Sequence, residues 1–311
     1  MMKFEPERLA GIHAATIVPM RTHDAQIDQD ALASHLQWIS HTPGIKGLLV
    51  NGHAGENFVL SLNEKRMVTR LARQIAPSSC FICSGVNHES SSEAAREATA
   101  MEEEGADGVL IFPPNSWALG HSDDVVFNHH HEIMSATRLP VLIYGAPVSA
   151  GSMAYSAHVI SKLLKDQRIV AIKDGSWEVA HYEANYRLIK SLRSDFVVMG
   201  SGDEHLLTSY VIGSEGSQVS LAAVIPDILV EFYEAVQARD WQRARDIHER
   251  IYPLSVAIYR NAPGGRATAR LKACLKILGR LVDDAVRLPQ PSASVDEYRI
   301  LESALAHCGV L

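Results

Sequence analysis

No stretch of this 311-residue chain is apolar for long enough to cross a bilayer as a helix, so no membrane partner is expected. Basic residues are in deficit: 29 Lys and Arg stand against 36 Asp and Glu, a net charge of -7 with His neutral. Without a basic stripe to neutralise phosphates, a nucleic-acid partner is not expected either. Met1 to Glu7 carry charges but no apolar segment follows, so no signal peptide is read. Cysteine is scarce as well. Four in a chain of this length make no disulfide framework, which fits a cytoplasmic protein. Cys80 and Cys83 have redox or zinc spacing, yet they fall in an apolar run, Cys80 to Val86, that reads as a strand. Residues three apart on a strand point to opposite faces, so both thiols are assigned to packing. His129, His130 and His131 lie in a helical stretch. Neighbours on a helix diverge, so the three do not chelate one ion; a solvated helix face is expected and no metal site is read.

Hydrophobic residues make up 47% of the chain and charged residues 21%, ordinary for a globular protein. Short β-branched runs alternate with longer amphipathic stretches. The runs are Ala14 to Pro19, Gly47 to Asn51, Phe81 to Val86, Gly108 to Phe112, Val141 to Tyr144, Val170 to Lys173, Phe196 to Met199 and Gln218 to Leu221. Between them, Ala31 to Ser40, Asn63 to Ile75, Ser92 to Glu104 and Glu178 to Leu192 have helical spacing, and Ser61 with Glu64 forms a capping box. Eight such units predict an α/β fold, a (β/α)8 TIM barrel, over residues 1–239. A doubly wound sheet is disfavoured because no G-x-G-x-x-G follows the first strand. Beyond Ile228 to Arg239 the alternation stops. Trp241 to Arg260, Ala267 to Leu278 and Val295 to His307 read as a C-terminal three-helix appendage, residues 240–311.

Barrel enzymes place their chemistry at the C-terminal ends of the strands. Lys173 stands there, ending the run Ile169-Val170-Ala171-Ile172. Burial lowers a lysine's pKa, and a neutral amine attacks carbonyls, so Lys173 is a candidate Schiff-base residue. Alone, it could equally be a lysine that snorkels to water. Two neighbours favour the first reading. The turn Gly52-His53-Ala54-Gly55-Glu56 follows the second strand and offers backbone N–H groups to an anion. Tyr144, ending the fifth strand, is placed to pass protons to and from a bound carbonyl. A carboxylate clamp, a proton shuttle and an amine nucleophile suit a 2-oxo acid.

In this order and spacing the motifs resemble the dihydrodipicolinate synthase / N-acetylneuraminate lyase superfamily of class I aldolases. The resemblance runs from Gly11 to Met20 through Gly52 to Glu56, Phe58, Leu60 to Glu64, Tyr144 to Pro147, Ile172 to Asp174, Ser201 to Glu204, Asn261-x-Pro263 and Lys272. It implies that Lys173 forms an imine with pyruvate or a related 2-oxo acid, assisted by Tyr144. It implies that Gly52, His53, Ala54 and Gly55 hold the carboxylate, that no cofactor is needed, and that the protein is a homo-oligomer, a tetramer built from dimers.

Three departures from the family pattern shape the expected substrate. His53 and Ala54 replace the usual hydroxyl residues of the turn. His53 either takes over as an acid–base group or only hydrogen-bonds the turn. The loop Phe112 to Trp117 lacks the second tyrosine of the synthases, and Trp117 is read as packing under that loop. Ser149 occupies the place of an arginine that grips the carboxylate of aspartate semialdehyde. A neutral, hydroxylated partner or sugar acid is therefore expected. Gly202, Asp203 and Glu204 are candidate hydroxyl-binding residues, joined by Ser220; the alternative for the acidic pair is an N-cap and first-turn acid on the seventh helix. The first expectation is a Schiff-base lyase, aldolase or dehydratase. The alternative is condensation of pyruvate with aspartate semialdehyde, and a second alternative is a silent paralogue that only binds a 2-oxo acid.

Overall fold

In the computed structural model, which describes residues 4–311, eight parallel strands close into a barrel in sequence order. They are β1 Gly11–Ala15, β2 Ile45–Val50, β3 Phe81–Val86, β4 Gly108–Ile111, β5 Val141–Gly145, β6 Ile169–Asp174, β7 Val197–Gly200 and β8 Gly216–Val219. The ring closes where β8 pairs with β1, Gln218 opposite His13. Around it lie α1 Gln29–Ser40, α2 Leu62–Ile75, α3 Ser91–Glu103, α4 Asp123–Ala136, α5 Ala157–Leu163, α6 Val179–Leu192, α7 Leu206–Ile212 and α8 Pro226–Gln237. With helices outside and side chains within, both faces of each strand are covered. That is why the strands read as nearly unbroken apolar runs, such as Gly108-Val109-Leu110-Ile111. The Ser61–Glu64 capping box starts α2 as expected.

Three further helices follow: α9 Trp241–Ser255, α10 Ala267–Ile277 and α11 Val295–His307. They share one core with the barrel. Leu254, Ile258, Leu271 and Leu301 pack in the same buried cluster as Ile12, Ala14, Leu48 and Val50 from the outer faces of β1 and β2.

Several local expectations are corrected. The first strand ends at Ala15, before Pro19, and the eighth ends at Val219, because Leu221–Ala223 turns into a short 3-10 helix. The run Trp241 to Arg260 is not one regular helix: α9 passes into a π-helical turn, Val256–Arg260. The face of α4 that bears His129 and His130 is buried, not solvated. His129 Nδ1 meets Ser91 Oγ at 2.9 Å. His130 Nδ1 bonds the Val126 carbonyl at 2.8 Å, and its Nε2 meets Tyr155 Oη at 3.0 Å. Adjacent positions on a helix are about 100° apart, so one wide buried face takes in both rings. Cys80 and Cys83 are free and buried on opposite sides of β3: Cys80 packs in the outer layer and Cys83 inside the barrel. Trp117 is buried under its loop beside His129, 5.5 Å between ring centres.

Candidate active site

The strand stagger sorts the inward side chains into layers of four, drawn alternately from odd and even strands. Following the pairing registers round the ring, one layer is His13, Cys83, Leu142 and Met199. Above it, toward the C-terminal mouth, lie Leu49, Leu110, Lys173 and Gln218. The next layer up is Ala15, Gly85, Tyr144 and Ser201. Lys173 is therefore the one cationic side chain of its layer, flanked by leucines on two strands.

Lys173 is only partly exposed, at the barrel mouth. Enclosure by the wall lowers its pKa to about 8, while the Asp203 carboxylate and the Cys83 sulfur pull the other way. Its Nζ lies 5.8 Å from the centre of the Tyr144 ring, on the adjacent strand where Tyr144 pairs with Lys173. Tyr144 is buried, and burial with the nearby Asp174 and Asp203 carboxylates raises its pKa, so the phenol keeps its proton. Its hydroxyl lies over Gly175. A Cβ there would stand 2.8 Å from Tyr144 Oη and 3.0 Å from Ser201 Oγ, so only glycine leaves room. The Gly175 N–H donates to the Gly145 carbonyl at 2.8 Å and the Val148 N–H to Ser176 at 3.1 Å, which fastens the loops after β5 and β6 together.

The turn after β2 is a single 3-10 turn, His53–Gly55. The Gly55 N–H donates to the Gly52 carbonyl and the Glu56 N–H to His53, both at 3.0 Å. As at any helix start, the first donors stay open, here those of His53 and Ala54. The His53 ring is exposed at the mouth, 4.3 Å from Phe112 and 5.4 Å from Tyr144 between ring centres. The surrounding wall, and then the Lys173 charge, lower its pKa and favour neutral imidazole. Thr268 of α10 donates to the His53 carbonyl at 3.3 Å. Beneath the turn, Glu56 is buried in a left-handed conformation, paired with the fully buried Lys272 of α10 and accepting the Arg287 N–H at 3.0 Å. The C-terminal helices thus hold the turn from behind.

Asp203 and Glu204 do not cap α7; His205 is its N-cap residue and no side chain caps that end. Asp203 is buried, and Oδ1 accepts the Leu221 N–H at 2.8 Å and the Tyr259 hydroxyl at 2.9 Å. Burial raises its pKa, against the pull of those bonds and of Lys173. Tyr259, in the π-helical turn, also meets Ser220 Oγ at 2.7 Å, so Ser220, Tyr259 and Asp203 form one chain toward Lys173. Glu204 points away and pairs with Arg260 of the same turn. Gly202 is partly exposed beside His205. Ser149 sits on the exposed rim in the 3-10 segment Val148–Met153. Among the described residues, no group of three or more His, Cys, Asp or Glu could hold a metal, and no helix is long and apolar enough to cross a membrane.

Lys173, Tyr144, His53 and Asp203 thus converge at the mouth, while Glu204 and Ser149 stand apart from Lys173. Sequence reasoning missed Tyr259, Phe112, Gly175 and Gln218. Tyr259 stands two residues before Asn261-x-Pro263, but helical spacing does not reveal a π turn. Gly175 directly follows Ile172-Lys173-Asp174, and that adjacency was the available signal.

This arrangement defines a barrel enzyme with an amine at its catalytic end. The chain matches the Dihydrodipicolinate synthetase family over residues 8–308 and belongs to it; it is a carbon–carbon lyase of the dihydrodipicolinate-synthase-like type. It is 28% identical to a 4-hydroxy-tetrahydrodipicolinate synthase from Methanospirillum hungatei, over 95% of this chain and 98% of that one. It is 27% identical to a synthase of the same name from Nitrobacter hamburgensis, with 98% of each chain covered. In fold it is similar to dihydrodipicolinate synthase from Thermotoga maritima, with a TM-score of 0.89 at 21% identity over 98% of this chain and 100% of that one.

Proposed function

We propose that the protein is a Schiff-base lyase, an aldolase or dehydratase, acting on pyruvate or a related 2-oxo acid with a hydroxylated or sugar-acid substrate. The observation that carries this reading is the Lys173 amine, kept near neutrality inside the barrel mouth beside Tyr144. Lys173 Nζ adds to the C2 carbonyl, and the resulting carbinolamine loses water to give the imine. Tyr144 keeps its proton and is the donor for the departing hydroxyl. The open N–H groups of His53 and Ala54 receive the carboxylate. The imine then takes up the electron pair from the adjacent carbon when a C–C or C–O bond breaks. Neutral His53, against the Tyr144 ring, is placed to relay the proton. Asp203, held by Tyr259, and Ser220 form the wall for substrate hydroxyls, with Gly202 beside them; Glu204 and Ser149 contribute shape, not contact. The lysine does the work of an organic cofactor.

A second reading has support in the name shared by the curated relatives: condensation of pyruvate with aspartate semialdehyde. Against it, Ser149 supplies no cation for that substrate's carboxylate. The deciding experiment is borohydride reduction in the presence of 2-oxo acids, read by intact mass and by the modified peptide. Pyruvate is expected to leave a reduced adduct on Lys173 that Lys173→Ala abolishes. Folded wild-type protein that yields no adduct with any 2-oxo acid would overturn the imine reading in favour of a silent binder.

A further inference from the structure

Gln218 has no exposed surface, and neither its amide nitrogen nor its amide oxygen has a hydrogen-bond partner among the described residues. Such a group forfeits its water without compensation and is rare in a native interior. It occupies the Lys173 layer, with Leu49 and Leu110 as the other two members. A leucine or isoleucine would fill that position at no polar cost, so the amide calls for a partner.

The neighbours show where that partner comes from. The Gln218 amide and the Lys173 ammonium both face the Cys83 thiol one layer below, so three polar ends meet near the barrel axis. The thiol is too weak a donor and acceptor to satisfy an amide, and it gives neither amide atom a bond of ordinary geometry. Burial raises the Cys83 pKa to about 12, so it stays a neutral thiol. His13, the strand partner of Gln218, turns its ring over Gly47, where a Cβ would lie 2.2 Å from Nδ1, and toward Phe81. It packs the lower barrel and leaves Gln218 free to face upward. The imine carbon formed on Nζ carries two substituents. The carboxylate is drawn to the turn after β2, and C3 is left facing β8.

We propose that Gln218 is a specificity-determining residue whose amide binds a hydroxyl or another neutral hydrogen-bonding group on C3, so that the 2-oxo acid taken by this site bears such a group there. This rests on the imine reading of Lys173. An amide donates and accepts at once, which matches a hydroxyl. It offers no charge, so a carboxylate in that place has no counterion.

The test uses two isosteric acids, 3-hydroxypyruvate and 2-oxobutyrate, which differ by a hydroxyl in place of a methyl group. The rate of borohydride-trapped adduct on Lys173 is measured for each, in wild type and in Gln218→Leu, with pyruvate as the control for folding and imine chemistry. Taking the ratio of the two variants cancels the intrinsic reactivity of the acids. The preference for 3-hydroxypyruvate is expected to fall by about tenfold or more in Gln218→Leu, as when a buried group loses its partner. Gln218→Met, which keeps the length without the amide, gives the same comparison should the leucine variant fail to fold. An unchanged ratio with pyruvate adducts intact would overturn the proposal and assign the amide to ordered water. Absence of any adduct in wild type would instead overturn the imine reading and this proposal with it.

Discussion

Lys173 carries opposing influences whose balance is measurable. Enclosure by the barrel favours the free amine, and the Asp203 carboxylate favours the ammonium. The first is larger, so the amine is free above about 8 and not above the ordinary lysine value of 10.5. The rate of imine formation with pyruvate should therefore rise with pH and level off above about 8. Asp203→Asn removes the attraction that holds the proton, so its midpoint should move down. A rate still climbing at the ordinary lysine value, or a midpoint that moves up in Asp203→Asn, would contradict this balance. The residue scale also shows what a sequence conceals. Lys173 and Tyr144 are legible because each ends an apolar run where polarity is out of place. Gln218 begins the run Gln218 to Leu221, where a polar residue at a strand edge looks ordinary. Only the ring closure, which sets Gln218 against His13 and in the layer of Lys173, turns it into a buried amide without a partner.

At the scale of elements, the turn after β2 and the helix behind it act together. The turn was legible from two glycines and a glutamate, and Lys272 from its place in the tail, but nothing local joins residues 216 positions apart. In the fold the Glu56 carboxylate is buried against Lys272, whose own pKa is lowered by burial despite that partner. Removing one member of a buried pair strands the other charge, at a cost of ~3–5 kcal/mol. Lys272→Met should lose about that much stability in denaturant titration, and pyruvate capture should weaken as the His53–Gly55 turn loosens. Adding Glu56→Gln should recover part of the stability by removing the stranded charge. A Lys272→Met protein as stable as wild type would show that the pair does not hold the turn. The histidines of α4 failed as an exposed-face prediction for a related reason. Polarity suggested water, and the bonds to Ser91, Val126 and Tyr155 that allow burial come from tertiary packing.

The whole molecule decides whether the eight-stranded ring stands without its last three helices. The alternation of strands and helices made the barrel readable, and the end of that alternation made the appendage readable as a separate run. Packing between them was not readable, since an amphipathic helix does not name the surface it covers. The structure puts Leu254, Ile258, Leu271 and Leu301, each no more than 1% exposed, into the cluster that backs β1 and β2. Each such side chain contributes ~1.5–3 kcal/mol on burial, so four account for at least ~6 kcal/mol, comparable to the whole stability of a typical domain. The same segment brings Tyr259 to Asp203 and Lys272 to Glu56, so it holds the site as well as the core. A chain cut after Arg239 should therefore lose cooperative thermal unfolding and near-ultraviolet dichroism, and should form no pyruvate adduct on Lys173. Were the shortened chain to melt in one sharp transition, the barrel would be a self-sufficient unit and the appendage a support for the turn and Asp203 alone. In that outcome the pyruvate adduct would separate the two roles, since a folded barrel lacking Tyr259 and Lys272 would still carry Lys173 but would trap the acid more slowly.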